Sequence, residues 1–131
     1  MNEPSIFTKI INGEVPCHKV YEDEHTFAFL DIHPVQPGHT LVIPKKQVEF
    51  VWELDEAAYQ QLMQTVQKVA LQLKLQLGVP YVGSQIIGVD VPHAHVHLIP
   101  FSTPEQFRTI PDMAAQPDHE FLAQMAEKIR F

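Results

Sequence analysis

The stretch His93-Ala-His-Val-His97 constrains this chain more than any other. Strict alternation of residue type is the signature of a strand whose two faces meet different surroundings. Extended backbone sends His93, His95 and His97 to one side and Ala94, Val96 and Leu98 to the other. The aliphatic side belongs against a core. Side chains two positions apart on one strand face lie about 7 Å from each other. Three imidazoles in a row can therefore share a site or pass a proton along. Imidazole also titrates near neutral pH without help from its surroundings.

The rest of the chain reads as a sheet and its covering. Ser5 to Gly13 forms a short helix, with Ser5 as N-cap, Ile6, Phe7, Ile10 and Ile11 as apolar stripe, and Gly13 as stop. Pro16 forbids its continuation. His18–Glu22 and Thr26–Asp31 are strands around a polar turn, with Phe27 and Phe29 on one face and Ala28 and Leu30 on the other. Pro34 to Gly38 is a loop, and His39–Ile43 a third strand closed by Pro44. The period changes over Asp55–Leu77, where Leu62, Val66, Val69 and Leu73 recur at helical spacing until Gly78 and Pro80.

Tyr81–Ile87 and Ala94–Ile99 are two further strands, the second stopped by Pro100. Residues 102–117 carry Pro104, Pro111 and Pro117 and read as an irregular surface segment. Asp118–Arg130 is a C-terminal helix with the stripe Phe121, Leu122, Met125 and Ile129. Short turns between successive strands favour an antiparallel sheet. The expected class is α+β, with about five strands, one long helix and helices at both ends. No repeat or linker divides the chain, so one domain is expected over 1–131, with the motifs in 5–100 and a C-terminal segment and helix over 101–131.

Charge narrows the function. Nine basic residues stand against 16 acidic ones, a formal net charge of -7, which excludes a protein that coats nucleic acid through counterion release. One small anionic ligand remains compatible, because backbone amides alone can hold a phosphate. Cys17 is the single cysteine, so neither an intramolecular disulfide nor a multi-cysteine zinc module is available. No signal peptide is visible before Ile11, and no run approaches the ~20 apolar residues of a membrane span. A soluble, cytoplasmic protein is expected. The unusual count is eight histidines.

Three readings of the histidine row stand side by side. It is an exposed polar face, a metal site with Asp90, His39 or Asp31 as a further ligand, or a catalytic cluster. Asp31 ends one strand and His39 opens the next across a Pro/Gly loop; taken alone they read as a strand-end solubiliser and a satisfied turn residue, and the histidine row, which needs a pocket wall, raises both as site residues. Four further histidines, His18, His25, His33 and His119, have no assigned role and are expected at the surface.

Several segments together resemble the histidine triad (HIT) superfamily, and within it the Hint-like bacterial branch. They are Ile6-Phe-Thr-Lys-Ile-Ile-Asn-Gly-Glu-Val-Pro16, Val20-Tyr-Glu-Asp-Glu24, Phe27-Ala-Phe-Leu-Asp31, Pro37-Gly-His-Thr-Leu-Val-Ile-Pro-Lys-Lys46 and Val91-Pro-His-Ala-His-Val-His-Leu-Ile-Pro100. The resemblance implies a HIT-like fold and a nucleotidyl hydrolase or transferase that needs neither metal nor other cofactor. Its substrate would be a purine nucleotide of AMP type, a phosphoramidate or an adenylated compound. His95 matches the nucleophile that forms a nucleotidyl-histidine intermediate. In the family a backbone carbonyl of the triad strand holds the proton on the nucleophile's other nitrogen.

By the same resemblance, His97 matches the group near the leaving atom, and His93 and His39 match supporting positions. Asp31 matches the carboxylate that accepts from the ribose hydroxyls. Ile6, Phe7, Ile10, Phe29, Leu30 and Ile32 match the apolar base pocket, with plain core packing the competing reading for Ile10 and Leu30. A homodimer with a joined sheet is also implied, with contacts expected from the apolar stripe of Asp55–Leu77 and from the strand before the triad.

The chain departs from the pattern at three places. Gly88 is kept, but Val89 stands where many members have a phosphate-binding glutamine, and Asp90 where a small polar residue is usual. Backbone amides from Gly88 to Asp90 remain available to a phosphate, whereas the Asp90 carboxylate repels one unless it turns away. Upstream, Gly83-Ser-Gln85 occupies the region where an asparagine is usual. Ser5 and Thr8 occupy positions where some bacterial relatives have zinc-binding cysteines, and hydroxyls are poor zinc ligands, so no structural zinc is expected. These departures keep a second class open, a nucleotide-binding or scaffolding protein with weak catalysis. The metal-dependent hydrolase is the third.

Overall fold

The computed structural model describes residues 3–131, so the expected domain start at residue 1 lies outside it. Ser5 caps the first helix, α1 (Ile6–Ile11), by accepting the Thr8 N–H. Three strands follow: β1 (Lys19–Glu22), β2 (Thr26–Leu30) and β3 (Thr40–Pro44). A single 3-10 turn at Val51–Glu53 leads into the long helix α2 (Glu56–Leu77). Asp55 caps α2 at its start, and Gly78 ends it in the left-handed conformation that favours glycine. The chain continues through β4 (Tyr81–Gln85), β5 (Val96–Phe101), a short α3 (Pro104–Phe107) and α4 (His119–Ile129).

The five strands form one antiparallel sheet in the order β1-β2-β3-β5-β4. Its period-two alternation sorts the two faces. Val20, Ala28, Leu30, Val42, Val96 and Leu98 pack under α2 and α4, against Leu62, Val66, Val69, Leu73, Leu122, Ala126 and Ile129. Phe27, Phe29, Leu41 and Ile43 face the other way and are covered by Phe7, Ile10 and Ile11 of α1. The histidine row opens on this second, thinly covered face. Gly38, with φ +91°, lets the chain turn into β3, and a side chain there would meet Leu77 and Pro100.

The structure corrects the sequence reading at several points. β5 begins at Val96, so His93 and His95 precede the strand and only His97 lies within it. The Ala94 N–H is bonded instead to the Val48 carbonyl at 2.7 Å. Pro100 does not end β5. The β3 ladder reaches only Leu98, so Pro100 sits where the strand is paired on one side and its missing N–H is tolerated. Part of the 102–117 segment is helical, because Thr103 and Gln106 form a capping box around Pro104. Phe121 is exposed, and Ala126 takes its expected place in the core. The apolar stripe of α2 is spent inside its own core, so it does not face a second copy. The large apolar side chains α2 leaves exposed are Tyr59, Leu71 and Leu75, with Tyr81 exposed on the edge strand β4. No helix among the described residues is long and apolar enough to cross a membrane.

Candidate active site

The histidines are held by bonds whose direction can be read from their partners. His93 is fully buried. Its Nε2 lies 2.8 Å from the Pro44 carbonyl, which only accepts, so Nε2 carries the proton. Its Nδ1 then accepts from the Ser5 hydroxyl at 2.8 Å. The His93 carbonyl in turn accepts from His95 Nδ1 at 2.7 Å. With its proton held there, neutral His95 presents its lone pair on Nε2. The Phe7 ring meets both rings edge-on, 5.8 Å from His93 and 5.3 Å from His95.

A second chain of bonds fixes His97. The Val35 N–H donates to His39 Nδ1 at 3.0 Å, so neutral His39 carries its proton on Nε2. That proton is given to His97 Nδ1 at 2.9 Å, which leaves the His97 proton on Nε2. This Nε2 is buried and has no partner among the described residues. The site thus offers a nucleophilic lone pair on His95 and a donor on His97, with ring centres 5.2 Å apart.

Electrostatics keep the supporting imidazoles neutral. Burial and the neighbouring His97 push His39 down to about 3. Burial and His95 push His97 down to about 4, with Asp90 acting against them. Burial lowers His93 too, opposed by its bond to Pro44. Asp31 is held above the usual carboxylate range by burial, although the His33 N–H donates to it at 2.8 Å.

Two adjoining cavities meet at His97. One, of about 390 Å³, brings together Ile6, Phe7, Ile10, Phe29 and Ile32 with Asp31, Asp90, His95 and His97. Leu30 borders it, but its side chain belongs to the core on the opposite face of the sheet, because it alternates with Phe29. The other, of about 410 Å³, shares Asp31, His33, Asp90, His97 and Met113 and is closed by Phe107 to Pro111. His39 lines only this second cavity. Gly88 and Val89 line neither. Gly88 approaches Phe50, and Val89 is 77% exposed. His93 stands behind the wall as a support.

Several lining residues escaped the sequence reading. Pro16 and Cys17 come from the loop after α1, and Met113 from the C-terminal segment. His33, expected at the surface, lines both cavities and contacts the Ala115 carbonyl at 3.1 Å. Of His18 and His119, also expected there, the first is half-buried and the second exposed, and they share a bond of 2.9 Å. None of these carried a local sequence signal, and nothing marked residues 107–113 as a wall.

The donor sets test the metal readings. Asp31, His39 and His97 each place a ligand atom within 4.8 Å of the others. An ion on His39 Nε2 would move its proton to Nδ1, against the Val35 N–H that now donates there. Two nitrogens 2.9 Å apart are also at hydrogen-bond distance, shorter than the ~3.4 Å spanned by two tetrahedral zinc ligands. At the second place, Ser5 and Thr8 offer hydroxyls already committed to His93 and to Gln47 Oε1. Neither set fits a zinc ion.

Known proteins resemble this chain in sequence and fold. The HIT domain profile matches residues 12–103. Protein hit of Bacillus subtilis is 43% identical over 103 residues, covering 75% of this chain and 71% of the relative. The adenosine 5'-monophosphoramidase hnt1 of Schizosaccharomyces pombe is 36% identical over 96 residues, covering 72% of each. The crystal structure of a Hit-like protein involved in cell-cycle regulation from Bartonella henselae superposes with a TM-score of 0.87 at 32% identity, covering 99% of this chain and 96% of that one. With its profile match, its close relatives and the ordered histidines at one end of the sheet, the chain belongs to the HIT domain family.

Proposed function

We propose that this protein hydrolyses purine nucleoside 5'-phosphoramidates or related adenylated compounds through a nucleotidyl-histidine intermediate on His95. One observation carries the reading: the His93 carbonyl holds the Nδ1 proton of His95, which leaves the Nε2 lone pair available in an apolar cavity that also contains Asp31. The two phosphoramidases among the relatives support it, the fission-yeast enzyme at 36% identity and the budding-yeast one at 35%.

In the first step His95 Nε2 forms a bond to the α-phosphorus as the bond to the leaving amine breaks. The amine leaves with a proton drawn from solvent past His97, and the positive charge on His95 is stabilised by the His93 carbonyl. Water then attacks the phosphorus and loses a proton to solvent on the same side, the N–P bond breaks, and the nucleoside monophosphate leaves with His95 neutral again. Asp31 accepts from the ribose hydroxyls, and Phe7, Phe29, Ile6, Ile10 and Ile32 enclose the base. A second copy joined along the edge of β4 would cover Tyr81, Leu71 and Leu75.

The test is release of AMP from adenosine 5'-phosphoramidate, followed by phosphorus NMR. Wild type is expected to turn over, and His95→Ala to lose at least about 10³-fold in kcat while still binding AMP. Near-normal turnover by His95→Ala would remove the nucleophile. Asp90 favours a second reading, because its carboxylate lines the cavity beside His97. AMP binding by wild type without turnover would select that reading, a nucleotide-binding protein.

A further inference from the structure

Under the N-terminus of α1 lies a small polar network that no step above uses. Ser5, only 6% exposed, accepts the Thr8 N–H at 3.0 Å and gives its own hydroxyl proton to His93 Nδ1 at 2.8 Å. The Thr8 hydroxyl donates to Gln47 Oε1 at 2.6 Å and lies 3.3 Å from the same His93 nitrogen. Gln47 Oε1 also accepts the Ser5 N–H at 2.7 Å, and its Nε2 donates to the Glu3 carbonyl at 2.9 Å. Each partner has one consistent role, because the Pro44 carbonyl admits only a protonated His93 Nε2. Buried polar groups satisfied in this way hold one geometry.

The network joins three parts of the site. It ties α1, which carries the Phe7 wall, to Gln47 just after β3, and both to the peptide that carries the His93 carbonyl. That carbonyl sets the proton of His95. We infer that Ser5, Thr8 and Gln47 are positioning residues for the reaction: by clamping the His93 ring between α1 and the end of β3, they place the carbonyl that orients His95. None of the three lines either cavity. A loss confined to kcat therefore distinguishes this role from substrate binding. The inference rests on the reading of His95 as nucleophile, but its structural half can be tested without turnover.

The experiment compares wild type, Ser5→Ala/Thr8→Val and Ser5→Thr. Nitrogen-15 NMR of the histidine rings in the ligand-free protein reads the bonding state of His93 and His95. Steady-state kinetics with adenosine 5'-phosphoramidate separates kcat from KM. The double variant is expected to shift both ring signals and lower kcat about 10-fold, the scale at which partners one step behind a functional histidine act, with KM within about two-fold. Ser5→Thr, which keeps cap and donor, is expected to recover wild-type rings and rate. A folded double variant with wild-type kcat, or one whose His95 signals do not move, overturns the inference. If the double variant does not fold, Ser5→Ala alone decides, with a kcat loss of about three-fold expected and an unchanged kcat overturning it. Turnover by His95→Ala would instead overturn the nucleophile, leaving the ring signals as the measure of the clamp.

Discussion

Acid should destabilise this fold through two imidazoles that it keeps uncharged. His39 is pushed down to about 3 by burial and by His97, and His97 to about 4 by burial and by His95. In the unfolded chain both titrate near the ordinary histidine value of about 6.5. Between the folded and unfolded values the unfolded chain binds more protons, so stability falls as pH drops below about 6.5. The fall continues to about 4 for His97 and about 3 for His39. Above that window neither group contributes.

From pH 7 to pH 5 a fully buried imidazole of this kind removes about 2 kcal/mol. His97 is partly open to solvent, so half that value is appropriate, and the pair removes about 3 kcal/mol. That is a large share of the ~5–15 kcal/mol typical of a domain, and lowers Tm by roughly 10 °C at this size. Asp31 works in the opposite direction, since burial raises it. Thermal and urea denaturation followed by circular dichroism at pH 7, 6 and 5 measures the effect. His39→Gln provides the control, because its carbonyl accepts from the Val35 N–H and its amide donates to His97 without titrating. The variant should lose about 2 kcal/mol of the pH-dependent change. An equal fall in both proteins would refute the assignment to His39, and no fall in wild type would refute the neutral cluster.

Two further substitutions follow from the geometry. Asp31→Asn removes the carboxylate that the proposed binding mode sets against the ribose, and should weaken AMP binding about 10-fold, read by calorimetry, with kcat changing less than KM. Gly38→Ala places a methyl group 2.7 Å from Leu77 Cδ1 and 3.2 Å from Pro100 Cγ at φ +91°. It should cost about 1–3 kcal/mol in urea denaturation.

The parts of this fold that were legible in the sequence are those where one local rule acts alone. Phe27-Ala-Phe-Leu30 alternated and sorted onto two faces as period two requires, and Asp55 and Gly78 bounded α2 through ordinary capping chemistry. Where tertiary contacts compete, the reading failed. Alternation placed His93 and His95 on a strand, but Ala94 bonds to Val48 and the ladder starts later. Pro100 read as a stop because the sequence does not say on which side a strand is paired. A proline's missing N–H ends a strand only where that N–H would have met a partner.

The site shows the same division. The clustering of His95, His97, Asp31 and the apolar residues of α1 and β2 in one cavity accords with the family resemblance. The walls from Cys17, His33 and residues 107–113 have no local signature, since they arise from loops brought over the sheet. Leu30 shows the cost of reading a motif without its faces. It neighbours Phe29 in the chain, yet its side chain lies on the other side of the sheet.

The central claim is that His95 Nε2 carries the nucleotidyl group. The direct test is mass spectrometry of protein mixed briefly with adenosine 5'-phosphoramidate, quenched in denaturant at alkaline pH, where an N–P bond to histidine survives, and then digested. A peptide heavier by one AMP less one water is expected, with the modification on His95 and none in His95→Ala. An adduct on another residue, or AMP released in the burst of turnover with no adduct at any quench time, would contradict it.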